Sequence, residues 1–167
     1  MDSTLAQLQR LLASSISGMT PDQLTRHPEG KWSPAEILEH LNLTYVGTIK
    51  GLQHCLDSGT PSASPDRRRM RWQRLIVLEI GYFPRGRKSP ERVQPRGAPA
   101  QQVTAEILEN VARMDAVIQE CETRFGRSKP VADHPVLGPL TGSEWRKFHL
   151  VHAKHHAKQI RKLRSAG

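Results

Sequence analysis

The stretch Trp32-Ser33-Pro34-Ala35-Glu36-Ile37-Leu38-Glu39-His40-Leu41 predicts the start of a long helix. Ser33 is a suitable N-cap and Pro34 suits the first helical position, where the missing N–H has no cost. Glu36 stands three residues after the cap, as a capping box requires. Apolar residues continue to recur on one face beyond this stretch, so we expect the helix to extend to about Leu56.

Three further segments show the same apolar periodicity. We expect helices over about Ser3–Ile16, over about Thr104–Phe125, and from Thr141 or Ser143 to near Ser165. The connection Thr60–Gln102 is long, and its centre, Met70–Ile80, could form a short helix. The prediction is an all-α fold: an antiparallel four-helix bundle with long connections between helices 2 and 3 and between helices 3 and 4.

The length and composition suggest one domain in a reducing compartment. At 167 residues, positions 1–167 are most simply a single domain with one core. There is no apolar run near twenty residues, so we expect no membrane span, and the first residues lack the features of a signal peptide. Cys55 and Cys121 fall on separate predicted helices, so a disulfide is not indicated and a cytoplasmic location is expected. Both cysteines, like Tyr45, are expected to be core residues.

The chain is basic, with 25 Lys and Arg against 16 Asp and Glu and a formal net charge of +9. Ten of the basic residues lie between Arg67 and Arg96, where there are only two carboxylates. Such a balance can indicate nucleic acid or an anionic ligand as partner. No nucleic-acid fold motif accompanies the charge, so a solvated surface is the preferred interpretation and nucleic-acid binding is not expected.

Histidines near the end of the chain suggest a metal site. Four of the eight lie within residues 149–156, on the last predicted helix. His152 and His156 are four apart and therefore share a face, a spacing at which two imidazoles can hold one divalent ion. His40, at the edge of the apolar face of the second helix, would meet them across a bundle core. Three imidazoles leave a coordination position for water or substrate, although a buried histidine with a backbone partner is the simpler alternative for His40 alone.

These segments also resemble a known family. Residues 32–41 and His152-Ala153-Lys154-His155-His156-Ala157-Lys158-Gln159-Ile160 look like the two motifs of the DinB/YfiT-like metalloenzyme superfamily. The segment from His134-Pro135 to Thr141, ahead of Glu144-Trp145, resembles one of its branches. The resemblance covers essentially the whole chain. It implies a four-helix bundle with a three-histidine metal site, usually zinc or nickel, and often a homodimer.

The resemblance assigns the ligand roles to His40, His152 and His156 and leaves His155 as a non-ligand. Characterised members transfer low-molecular-weight thiols to electrophiles, which implies a metal-dependent thiol S-transferase with a small thiol and an electrophile as substrates. His149 lies on the same stripe and is expected to be either a hydrogen-bonding partner of the site or a fourth ligand.

One glutamate and three basic residues are further candidates for this site. Glu36 lies one turn before His40 and could orient its free ring nitrogen, although a capping role explains it equally well. Arg85, Arg87 and Lys88 could clamp the carboxylates of a thiol cosubstrate, because guanidinium groups match carboxylates bidentately.

Two alternative functions remain open from the sequence. One is metal-assisted hydrolysis, which requires a general base near the ion, and no glutamate follows His152 or His156 in the HExxH manner. The other is a non-catalytic basic module that binds nucleic acid or a protein partner.

Overall fold

The chain folds mostly into helices, as a computed structural model shows. It describes residues 1–27, 29–64, 68–80 and 89–165. The α-helices are α1 (Ser3–Ile16), α2 (Pro21–Thr25), α3 (Pro34–Ser58), α4 (Arg68–Leu75), α5 (Ala100–Phe125) and α6 (Gly142–Ser165). A π-helix (Ile76–Ile80) continues α4, a 3₁₀ helix (Glu91–Val93) precedes α5, and β1 (Ala132–His134) pairs antiparallel with β2 (Gly138–Leu140). The prediction of a predominantly helical chain is confirmed.

The helix boundaries follow the predicted capping signals. The Ser33 side chain accepts a hydrogen bond from the backbone N–H of Glu36, and Glu36 accepts one from the backbone N–H of Ser33. The capping box is therefore present, and it fixes where α3 begins. Gly59 ends α3 in the left-handed conformation, with φ at 72°. In the described part of the chain, no helix combines the length and apolarity needed to cross a membrane.

The four long helices contact one another in two extensive pairs, α3 with α5 and α1 with α6. Asn110 near the middle of α5 donates to Asn42, and Arg124 at the end of α5 donates to the carbonyl of Leu56, so α3 and α5 run in the same direction. Arg164, near the end of α6, similarly donates to the carbonyl of Ser17, which follows α1. The long connection between α3 and α5, residues 59–99, returns the chain to the end at which α3 starts, as two consecutive parallel helices require.

Across the two pairs, α3 and α6 run in opposite directions. His40 on α3 lies beside His152 on α6, whereas Thr48, two turns further along α3, lies beside the earlier residue His149. The helix that carries the first predicted ligand and the helix that carries the other two therefore run in opposite directions. This relation brings the first half of α3 against the middle of α6.

A single cluster of buried apolar side chains fills the space between the helices. It includes residues from α1, α3, α5 and α6, together with Val131 and Leu137 around the hairpin. Tyr45, Cys55 and Cys121 are fully buried, and both cysteines are free, as predicted for core residues. The site described below lies between α3 and α6, where buried polar side chains adjoin this cluster.

Candidate metal centre

Three imidazole rings converge between α3 and α6. His40, His152 and His156 are all buried, with 3%, 8% and 7% of their surfaces exposed. One ring nitrogen from each lies within 4.8 Å of the other two. The Nε2 atom of His152 is 3.4 Å from that of His40 and 3.0 Å from that of His156. The structure therefore brings together the three residues that the sequence predicted as ligands.

His40 reaches this position because α3 begins two turns earlier at its capping box. Its Nδ1 lies 2.7 Å from the backbone carbonyl of Val93, in the 3₁₀ helix that precedes α5. Because a carbonyl only accepts, Nδ1 must carry the proton and Nε2 must present a lone pair to the centre. The ring of Trp32 packs beside His40 at a centroid distance of 5.1 Å. Partner and packing together fix the orientation of the His40 ring.

His156 is oriented by a side-chain amide on its own helix. Its Nδ1 lies 2.7 Å from the amide oxygen of Gln159, whose nitrogen in turn donates to His155. His156 therefore also carries its proton on Nδ1 and directs an Nε2 lone pair inward. His155 supplies no atom to the three-ring group and instead helps to fix the orientation of the amide.

Burial keeps these imidazoles neutral. It lowers the pKa of His156 to about 3, with the neighbouring His40 as a second cause. Burial, followed by the proximity of His156 and His40, lowers the pKa of His152 well below its usual range. Burial also lowers the pKa of His40, partly opposed by the hydrogen bond to Val93. All three rings are in the unprotonated form that a metal ion requires.

The convergence of lone pairs is a test of whether a metal would fit. The Nε2 atoms of His40 and His156 both present lone pairs. A proton on Nε2 of His152 could be donated to only one of them, which would leave the other close contact without a hydrogen bond. A divalent cation satisfies all three Nε2 atoms at once, and imidazole suits zinc, nickel, iron and copper. Each of the two fixed rings also has its other nitrogen hydrogen-bonded, as is usual for metal-binding histidines. The residues present fit a divalent metal ion.

His149 lies on the same face of α6 but outside the three-ring group. It is fully buried, and its Nε2 is 3.0 Å from the hydroxyl of Thr48. Trp145 stacks on its ring at a centroid distance of 5.9 Å, and Tyr45 contacts it edge-on at 5.2 Å. His149 therefore packs between the rings of Tyr45 and Trp145 and is not part of the group of three converging histidines.

The other predicted contributors do not meet the three rings. The carboxylate of Glu36 contacts Ser33 and His27, so Glu36 acts as the capping residue of α3. The carbonyl of Val93, and not Glu36, orients the His40 ring. Arg85, Arg87 and Lys88 lie outside the described residues. The role of the Val93 carbonyl cannot be predicted from the sequence. Every residue has a backbone carbonyl, and this one lies 53 residues from His40 along the chain.

A cleft of about 820 Å³ lies elsewhere, between α4 and the start of α6. None of the three histidines contributes to it, and its walls carry two ion pairs, Arg74 with Glu144 and Lys147 with Glu79. The cleft is lined by Trp72, Arg74, Leu75, Leu78, Glu79, Ser143, Glu144 and Lys147. The cleft is therefore separate from the three-histidine site.

Comparison with known proteins identifies the family of the chain. Residues 2–163 match the sequence model of DUF1569, a family described as proteins of unknown function. Because the match spans nearly the whole chain, the chain belongs to this family. No curated protein and no solved structure matches it. The family assigns no activity, so any functional conclusion has to come from the three-histidine centre.

Proposed function

We propose that the protein is a metal-dependent enzyme of the DinB/YfiT-like type that transfers a low-molecular-weight thiol to an electrophile. The observation that carries the proposal is the convergence of ring nitrogens from His40, His152 and His156 within 4.8 Å of one another. The order of the ligands along the chain and their placement on two facing helices agree with that resemblance. We further propose that α1, α3, α5 and α6 form a four-helix bundle of the same kind.

The protein's own residues would hold and orient a divalent ion, with zinc or nickel as the leading assignments. His40, His152 and His156 would bind it through Nε2, while Val93 and Gln159 hold two of the rings in the required tautomer. A bound ion would supply a Lewis acid that lowers the pKa of a thiol and holds its sulfur as the nucleophilic thiolate. Three protein ligands leave a position for that sulfur.

The surroundings of the centre favour thiol activation over hydrolysis. A general base beside the ion would assist hydrolysis by taking the proton of the metal-bound water. The partners that orient His40 and His156 are a backbone carbonyl and a side-chain amide, and neither accepts a proton at neutral pH. Phe148 stacks on His152 at a centroid distance of 5.5 Å, and Trp32 lies beside His40. Apolar rings on two sides suit a soft sulfur ligand and an apolar electrophile.

A thiol-transfer assay tests this proposal. The zinc- or nickel-loaded protein is incubated with monochlorobimane and, in turn, glutathione, cysteine, bacillithiol and mycothiol. We expect at least one thiol to be conjugated faster than in the absence of protein, and His152→Ala to abolish the gain. His54→Ala is the matched control, because His54 is exposed on α3 away from the centre. Equal rates with His152→Ala and the unaltered protein would contradict the proposal.

The dimer implied by the resemblance is part of the same proposal. Light scattering of the purified chain gives the mass directly, and we expect twice the 18.8 kDa of one chain. A mass of one chain at micromolar concentration would remove the dimer without affecting the metal centre.

A further inference from the structure

Glu39, the residue before His40, is a buried carboxylate held by backbone amides. Only 5% of its surface is exposed. Its Oε1 accepts from the backbone N–H of Arg96 at 2.9 Å, and its Oε2 accepts from those of Gly97 and Ala98, both at 3.1 Å. Among the described residues, no cationic side chain forms an ion pair with it. Three backbone donors therefore compensate the burial of this charge.

The amides that Glu39 binds belong to the segment that orients His40. Arg96 follows Val93 by three residues, and the carbonyl of Val93 accepts from Nδ1 of His40 at 2.7 Å. Two consecutive residues of α3 thus hold one short stretch of chain, residues 93–98. Glu39 binds the end of the stretch next to α5, and His40 binds the end next to the 3₁₀ helix.

This segment has little else to fix it. Residues 94–99 contain no regular secondary structure, and most of them are exposed. Gly97 has a φ of 81°, a left-handed conformation that an ordinary side chain rarely adopts. Ala98 packs against the core, and the carboxylate of Glu39 accepts the backbone hydrogen bonds of residues 96–98.

We propose that Glu39 is a positioning residue of the three-histidine centre: it anchors residues 96–98 so that the carbonyl of Val93 stays at Nδ1 of His40 and the His40 lone pair faces the other two rings. The proposal rests on the metal-binding part of the proposed function, but the orientation of His40 is a property of the protein without metal. The two can therefore be tested apart.

Glu39→Gln tests the proposal with a minimal change in shape. A glutamine keeps one carbonyl oxygen, but its NH₂ group would face at least one of the three backbone N–H donors. Glu106→Gln is the matched control: Glu106 also accepts hydrogen bonds through both oxygens, from Asn42 and Gln102, and lies outside the three-ring group. Circular dichroism confirms that both variants are folded. If Glu39→Gln does not fold, Glu39→Asp, which keeps the charge but retracts it, replaces it.

The first readout is nitrogen-15 NMR of the histidine rings in metal-free protein at pH 7. We expect His40 to be in the Nδ1–H tautomer in the unaltered protein and in Glu106→Gln, and to show mixed tautomers or a rapidly exchanging Nδ1–H in Glu39→Gln. A purely structural role for Glu39 would change stability and leave this signature in place. If both the His40 tautomer and the exchange rate of its Nδ1–H are unchanged in the Glu39 variant, the proposal is overturned.

The second readout is zinc affinity, measured by competition with a chromophoric chelator. We expect Glu39→Gln to weaken zinc binding by about 10- to 100-fold, the usual effect of losing a group that orients a metal-binding histidine. Glu106→Gln should bind zinc as the unaltered protein does. If the unaltered protein binds neither zinc nor nickel, the proposed function fails while the NMR result still decides the role of Glu39. If zinc binds and Glu39→Gln binds it equally well, the positioning role fails alone.

Discussion

Hydrogen-bond partners divide the histidines of α6 into two chemical types. His156 donates from Nδ1 and offers Nε2, whereas His149 has the opposite arrangement. The hydroxyl of Thr48 donates to the carbonyl of Thr44, so it accepts from Nε2–H of His149. Nδ1 of His149 is then a buried lone pair with no hydrogen bond among the described residues. One helical stripe of similar residues therefore contains both ligand candidates and a neutral core histidine.

The neutrality of His149 predicts a pH dependence of stability. Burial, with the nearby His134 as a second cause, lowers its pKa from 6.5 to about 3. As pH falls below 6.5, the unfolded chain binds a proton at this position while the folded protein does not. Stability is therefore present above pH 6.5 and is lost as pH falls toward 3, by up to about 1.4 kcal/mol per pH unit.

Urea unfolding of metal-free protein between pH 4 and 7 measures this slope. We expect His149→Gln, which can still donate to Thr48, to reduce the slope by about 1.4 kcal/mol per pH unit. His54→Gln, at an exposed position of α3, should leave it unchanged. Equal slopes in the unaltered protein and His149→Gln would show that His149 is not kept neutral by the fold.

At the scale of elements, helix boundaries that depend on neighbouring residues can be predicted from the sequence. The bounds of α1 were predicted correctly, and α3 begins at the predicted cap, because apolar periodicity and capping residues act within a few residues. The short helix predicted within Met70–Ile80 is present, as α4 and the π-helix. Elements that depend on distant partners were missed. The hairpin of β1 and β2 is too short and rich in proline to show alternation, and the 3₁₀ helix Glu91–Val93 contacts α3 across a long connection.

The same distinction applies to the site. His152 and His156 could be paired from their spacing alone, and His40 from the expectation that two apolar faces meet. The orienting carbonyl of Val93 could not, because every residue has a carbonyl and only the path of the chain selects one. The role of Glu39 is equally hidden in the sequence, because the partners of its carboxylate are backbone amides of residues 96–98.

The hairpin depends on Gly138, which lies at the start of β2. Its φ is 75°, and an added Cβ would lie 2.6 Å from the sulfur of Met70 on α4. We expect Gly138→Ala to lower the free energy of unfolding by about 1–3 kcal/mol, because backbone strain and the close contact add. Gly51→Ala is the control: Gly51 lies within α3 with open space around it, so alanine should raise stability by about 0.5–1 kcal/mol. Urea unfolding of both variants measures the difference, and equal effects would contradict the hairpin geometry.

At the scale of the whole molecule, a buried ion-pair network joins three of the long helices. Arg146 on α6 donates to Asp115 at 2.9 Å and to Glu122 at 2.6 Å, both on α5. The other oxygen of Asp115 accepts from the backbone N–H of Asp2 at the start of α1. Asp115 is 2% exposed and Arg146 is 6% exposed. Removal of the cation would leave buried carboxylates uncompensated.

Arg146→Ala should therefore destabilise the protein by about 3–5 kcal/mol. The adjacent residue provides the control, because Lys147 pairs with Glu79 at the surface, where 41% and 56% of the two side chains are exposed. Lys147→Ala should cost no more than about 1 kcal/mol. Thermal or urea unfolding compares the two variants directly. A loss as small for Arg146→Ala as for Lys147→Ala would show that the network does not hold α1, α5 and α6 together.

Metal content is the most direct test of the central claim that the three histidines form a metal centre. The chain is purified without a histidine tag, incubated with zinc or nickel, freed of excess ion and analysed by inductively coupled plasma mass spectrometry. The three-ligand geometry predicts about one ion per chain, retained in His54→Ala and lost in His152→Ala. Far less than one ion per chain in the unaltered protein, or full occupancy in His152→Ala, would contradict it.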